Sequence, residues 1–122
     1  MTRRWLDPER GSATVWVLAL AGVLAAVGLA AVLVGAAVTA RHRAGTAADL
    51  AALTAALAAV EGESVACGAA ARMAADNGTE LTSCAVHDGN VFDITVAAPV
   101  RLGPLGLFQA DGRARAGPAG PD

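Results

Sequence analysis

The feature that most constrains this chain is the run from Ser12 to Ala40, which holds no charged residue. A helix needs about 20 mainly apolar residues to cross a hydrocarbon core of about 30 Å, and this run is longer. Arginines stand at both borders: Arg3, Arg4 and Arg10 before it, Arg41 and Arg43 after it. A charged side chain at mid-bilayer costs at least about 2.5 kcal/mol, so such borders mark where lipid ends. Trp16, near the first border, suits the headgroup level. The reading is one transmembrane helix over 12–40. A buried core helix is disfavoured, because a chain of 122 residues has too little protein to cover the run. A secretory signal cleaved after Ala40 is the serious competitor, since Val38-Thr39-Ala40 resembles a small-residue cleavage site. Signal h-regions, however, are only about 7–15 residues long. An interfacial helix needs a charged face, and the run has none.

Net charge is −2, so no basic surplus exists to neutralise phosphates and nucleic acid is excluded as a partner. Residues beyond Ala40 are too few for a large core, so the outer piece needs staples or partners. Phe92 and Phe108 are its only aromatic residues, and Cys67 and Cys84 are the only cysteines. A disulfide between them is compatible with the oxidising side of a membrane and would stabilise by about 3 kcal/mol. Two buried or reduced thiols remain the alternative.

Read in order, residues 1–11 form a polar leader in which Pro8 is expected to break any early helix. Ala21, Gly28 and Gly35 recur every seven residues and Gly22, Ala26 and Ala30 every four, spacings that let membrane helices approach closely. Past Arg41 only Gly45 weakens the pattern, and Leu50, Leu53, Leu57 and Val60 make an apolar stripe at 3-4-3 spacing. The pattern predicts one helix from Ser12 to Val60, its part over 41–60 continuing outward from the membrane, with this leucine stripe as its packing face. Glu61-Gly62-Glu63-Ser64 ends it. Ser64 is placed to cap a second helix over 65–76, and Asn77-Gly78 to stop that helix.

Residues 81–87 and 91–97 alternate like strands around Asp88-Gly89-Asn90. A three-residue loop pairs Val86 with Phe92, Cys84 with Ile94 and Thr82 with Val96, which gathers the bulky apolar side chains on one face. A two-residue loop would set Cys84 against Asp93 and spoil that face. Residues 99–107 read as a loop, 108–116 as a third strand and 117–122 as a disordered tail. The fold class is α+β and membrane-anchored: a long N-terminal helix, a short second helix and a small antiparallel sheet, with a head over 61–116.

Nothing in this pattern carries catalysis, so the chain does not read as an enzyme. His42 abuts the membrane border between two arginines, and His87 sits at a strand end as a solvated histidine. Cys67, Cys84 and His87 lack the paired spacing and fourth ligand of a metal site, so neither metal nor cofactor is expected. Asp49 is read as part of a solvated face, with a polar contact to a partner helix as the alternative. Glu61 and Glu63 lie in an exposed break.

Glu9-Arg10-Gly11-Ser12-Ala13-Thr14-Val15-Trp16, the apolar run, Arg41-His42-Arg43-Ala44 and Ala47-Ala48-Asp49-Leu50-Ala51-Ala52-Leu53 occur in that order. Together they resemble the TadE/TadG-like proteins of Flp (tight-adherence) pilus assembly. Within these the chain is most similar to a short actinobacterial branch encoded near a secretion ATPase and a helicase. The resemblance implies a pilin-like (pseudopilin) subunit in the cytoplasmic membrane, single-pass, with its N-terminus inside and its head outside. The implied partners are membrane lipid, other pilin-like or secretion subunits and a prepilin peptidase cutting between Gly11 and Ser12. The chain departs from the processed pattern at Trp16, where that pattern has a glutamate. The competing function is a small secreted binding protein released after Ala40.

Overall fold

After Pro8 no proline occurs before Pro99, and the intervening alanines and leucines are the strongest helix formers. In a computed structural model, which describes residues 8–118 and side chains from Gly11 onward, the first element is accordingly α1, Pro8–Leu57. It differs from the expected bounds at both ends. Pro8 heads the helix instead of stopping it, because a first-position residue has no intrahelical partner for its N–H and proline presets the helical φ. At the other end α1 stops at Leu57, and a 3-10 turn, Ala59–Glu61, follows. The leader over residues 1–7 and the tail beyond Pro118 lie outside the described residues.

The chain divides into two units, one ending at Gly35 and the other beginning at Ala36. In the first, every side chain from Gly11 to Val32 is exposed. The most apolar window of this candidate span has a mean hydropathy of 2.8 and no buried residue. Apolar and uncovered on all sides, it is a helix long and greasy enough to cross a membrane.

The second unit packs the C-terminal part of α1 with α2, Glu63–Asp76, and a sheet of β1, Glu80–His87, β2, Val91–Arg101, and β3, Leu107–Ala116. The sheet is antiparallel in the order β1-β2-β3. Every second residue of β2 is buried, namely Phe92, Ile94, Val96, Ala98 and Val100, and the first four join the core with alanines of both helices. Ala97 is buried on the other parity. Along α1 the buried core residues are Ala44, Ala47, Ala48, Ala51, Ala52 and Ala55, at the 3-1-3-1-3 spacing of one helix face. Past exposed Phe108, the inward parity of β3 is equally small: Ala110, Gly112, Ala114 and Ala116. At Gly112 a Cβ would overlap the carbonyl of Ala44. Helix and strand are therefore in backbone contact there, and only glycine fits.

α2 begins after Gly62, whose φ of 111° favours glycine, and no side chain caps it. Ser64, the expected cap, lies inside the helix: the turn after α1 leaves the chain in a left-handed conformation that glycine supplies two residues earlier. Its buried residues are Ala66, Ala70 and Ala74. The helix closes as expected, with Asn77 at the cap and Gly78 at φ 72°. Buried Thr79 donates its hydroxyl to the Ala74 carbonyl at 2.8 Å. Gly68, exposed in mid-helix, has nothing near a Cβ position. Gly68→Ala is expected to stabilise the head by about 0.5–1 kcal/mol, read as a rise in the urea midpoint of protease resistance in the full chain.

The hairpin has the expected three-residue loop, with Gly89 and Asn90 at positive φ. Val86 pairs with Phe92 and Cys84 with Ile94. The expected Thr82–Val96 pair does not form, because a bulge between Leu81 and Ser83 sets Leu81 opposite Val96. The bulge keeps apolar Leu81 on the covered side while Thr82 reaches across, its hydroxyl donating to the Thr95 carbonyl at 3.1 Å. Residues 99–107 are not all loop, since β2 runs through Pro99 to Arg101. β1 ends opposite Ala97, so at Pro99 one side of β2 is an edge and a missing N–H removes no bond to β1. The connection shrinks to a tight turn over 102–106, with Gly103 and Gly106 at positive φ.

Candidate functional site

The described residues pack chiefly through small apolar side chains. No group of three His, Cys, Asp or Glu side chains converges among them. A charged cluster lies on the sheet, where Asp93 receives a bond from Arg115 at 3.2 Å and has the His87 ring at 3.7 Å. Both partners are more than half exposed, so this cluster is a solvated surface pairing worth little. His42 is exposed. Asp49 is also exposed and lines a shallow cleft with Arg115.

Cys67 and Cys84 are joined, with Cα atoms 6.0 Å apart. The bond links α2 to β1, and both cysteines are half-buried at the margin of the core. It is the covalent tie of a helix that otherwise buries only methyl groups.

Leu50, Leu53, Leu57 and Val60 do not face the sheet. They are exposed, Leu57 to 82% and Val60 to 94%. At 3.6 residues per turn Leu50, Leu53 and Leu57 lie on the side of α1 away from the alanine face, and Val60 follows in the 3-10 turn. The reason is volume: β3 presents alanine and glycine inward, which admits a helix surface of methyl groups and excludes one of isobutyl groups. What could have revealed this is the run of small residues at every second position of β3, complementary to the alanines at helical spacing on α1. The open stripe borders a groove of about 390 Å³, lined by Leu53, Leu57 and Val60 with Asn90 and Pro118. Gly11 and Ser12 lie far along α1 in the other unit, both exposed.

The two faces differ in cover. The alanine face holds the head's own sheet. The leucine face is an apolar helix surface with no cover among the described residues, of the type that packs against another helix.

Among known proteins, residues 11–60 match the family model for Flp pilus-assembly TadE/G-like proteins. The match covers α1 from Gly11 and ends at Val60, the last residue of the leucine stripe, leaving α2 and the sheet outside it. No curated protein and no solved structure matches the chain.

Proposed function

From the match of residues 11–60 to the TadE/G-like Flp pilus-assembly family, we propose that this chain is a minor pilin-like structural subunit of a Tad-type pilus or secretion complex. It works by helix–helix packing. Residues 12–40 of α1 sit in the cytoplasmic membrane with the N-terminus inside, residues 41–60 carry the packing face outward, and the head over 61–116 lies outside. The observation that carries this reading is the open Leu50, Leu53, Leu57 and Val60 stripe. A water-facing apolar edge on a helix whose opposite face is already used is surface kept for a partner, here another pilin-like or secretion subunit. A peptidase cut between Gly11 and Ser12 belongs to the same proposal.

The test is a pair of charges on the stripe. Leu53→Asp with Leu57→Asp is expected to leave the head folded, because surface changes away from special features shift stability by only about 0.5 kcal/mol. The disulfide and protease resistance should persist. Co-purification with the other membrane subunits of the same assembly system should fall at least tenfold. Unchanged co-purification by the doubly charged variant would reject the packing face. N-terminal sequencing of the membrane-extracted protein separates starts at Met1, Ser12 and Arg41. A product starting at Arg41 and free in the medium would instead support the secreted binding protein.

A further inference from the structure

Between Arg101 and Asp111 the only polar side chain is Gln109, and 102–108 reads Leu-Gly-Pro-Leu-Gly-Leu-Phe. This turn between β2 and β3 is exposed: Leu105 to 61%, Leu107 to 63% and Phe108 to 50%. The core that holds Phe92, Ile94 and Val96 leaves these bulky residues outside it. Exposed apolar patches of this type mark contact surfaces.

Its position identifies the contact. Leu102 and Phe108 line a cleft of about 460 Å³ together with Ala37 and Arg41 of α1, within the second unit. Ala37 belongs to the uncharged run and Arg41 is its border, so the turn stands at the level where the apolar run of α1 gives way to charge. Ala40 and Val100 are buried, and Val100 lines the same cleft. Arg41, Arg43 and Arg101 are exposed near this level, the arrangement in which guanidinium groups reach lipid phosphates while neighbouring residues enter the acyl boundary. The backbone is suited to the same place. The N–H groups of Leu102, Leu105 and Gly106 are each bonded to a carbonyl inside the turn, and Pro104 has none to satisfy. Few polar backbone groups have to be stripped of water when the turn enters lipid.

We propose that the β2–β3 turn, Leu102–Phe108, dips into the membrane interface beside the helix, giving the head a second attachment to the bilayer. The occupant of this surface is lipid: the headgroup and upper acyl region of an anionic bilayer. The inference rests on residues 12–40 spanning the membrane, and its test separates the two.

The full chain is reconstituted in phosphatidylcholine–phosphatidylglycerol vesicles whose acyl chains are brominated close to the headgroup. One chain keeps only Trp16, with Trp5→Phe. A second carries Trp5→Phe, Trp16→Phe and Leu105→Trp, and a third replaces Leu105→Trp by Phe108→Trp as a milder probe. A fourth places the indole at the other end of the head by Leu57→Trp. The expected result is a blue-shifted emission and a loss of fluorescence for Leu105→Trp and Phe108→Trp comparable with that of Trp16, and no quenching for Leu57→Trp. Quenching of Trp16 alone overturns the turn's insertion and leaves the spanning helix standing. Absence of quenching everywhere overturns both. A blue shift without bromine quenching, fading as lipid dilutes the protein, assigns the turn to a second copy of the chain and overturns the lipid contact. Equal quenching of Leu57→Trp means that the head lies flat, which also overturns it.

Discussion

Gly112→Val is expected to unfold the head while leaving the protein in the membrane. A Cβ at this position overlaps the Ala44 carbonyl and comes within 2.8 Å of the Gly45 amide nitrogen. Both are backbone atoms of a helix, so no side chain can swing aside. Replacing glycine restricts the unfolded chain and by itself favours folding by about 0.4–1 kcal/mol. Overpacking costs typically about 1–3 kcal/mol, and a backbone overlap belongs at or above the top of that range. The clash wins. A core of this size supplies at most about 3–5 kcal/mol, so the loss approaches the whole of what the head has. In detergent-extracted full chain, trypsin should cut the valine variant across β3 without urea. Gly112→Ala should behave alike with a smaller shift, in the opposite sense to Gly68→Ala. If Gly112→Val resists protease like the parent, helix and strand do not touch where the structure puts them.

Removing the disulfide is the second large effect. Cys67 and Cys84 are 17 residues apart in sequence, and closing a loop near that length is worth about 3 kcal/mol by the chain-entropy argument. The structure also says where the loss falls. α2 holds to the core through the methyl groups of Ala66, Ala70 and Ala74, too little area to anchor fourteen residues against their conformational entropy. β2 and β3 keep Phe92, Ile94 and Val96 whether or not the bond exists. In Cys67→Ala/Cys84→Ala, or after reduction, amide exchange in α2 should therefore accelerate far more than in β2. Uniform acceleration would mean that the head opens as one unit, and unchanged protection of α2 would show that the disulfide does not hold it.

Much of the architecture was legible in the sequence because it rests on large or special residues. The uncharged run, the Asn77-Gly78 stop and the pairing of Cys84 with Ile94 and Val86 with Phe92 each depend on a charge gap, a left-handed residue or a bulky alternation. The helix face that holds the sheet was not legible. Against an alanine background, a search for the largest apolar residues finds Leu50, Leu53 and Leu57, whereas the sheet required the smallest. The same habit made residues 99–107 look like a loop: Pro99 is a strand breaker in general, but not at an edge. Ser64 looked like a cap because its hydroxyl type is right, yet backbone handedness at Gly62 decided the start. The turn beside Arg41 could not be found without the fold, since Val100 lies 63 positions beyond Ala37 and only β2 running back along α1 brings its end to that level.

With β2 in the middle, the sheet ends in two unzipped borders, and such borders are where strands from different molecules stitch together. Confinement to a membrane plane crowds molecules and raises that hazard. Here one border is crimped at Thr82 and the other bristles with Arg113 and Arg115. Neighbouring heads are thereby turned away from strand-to-strand aggregation.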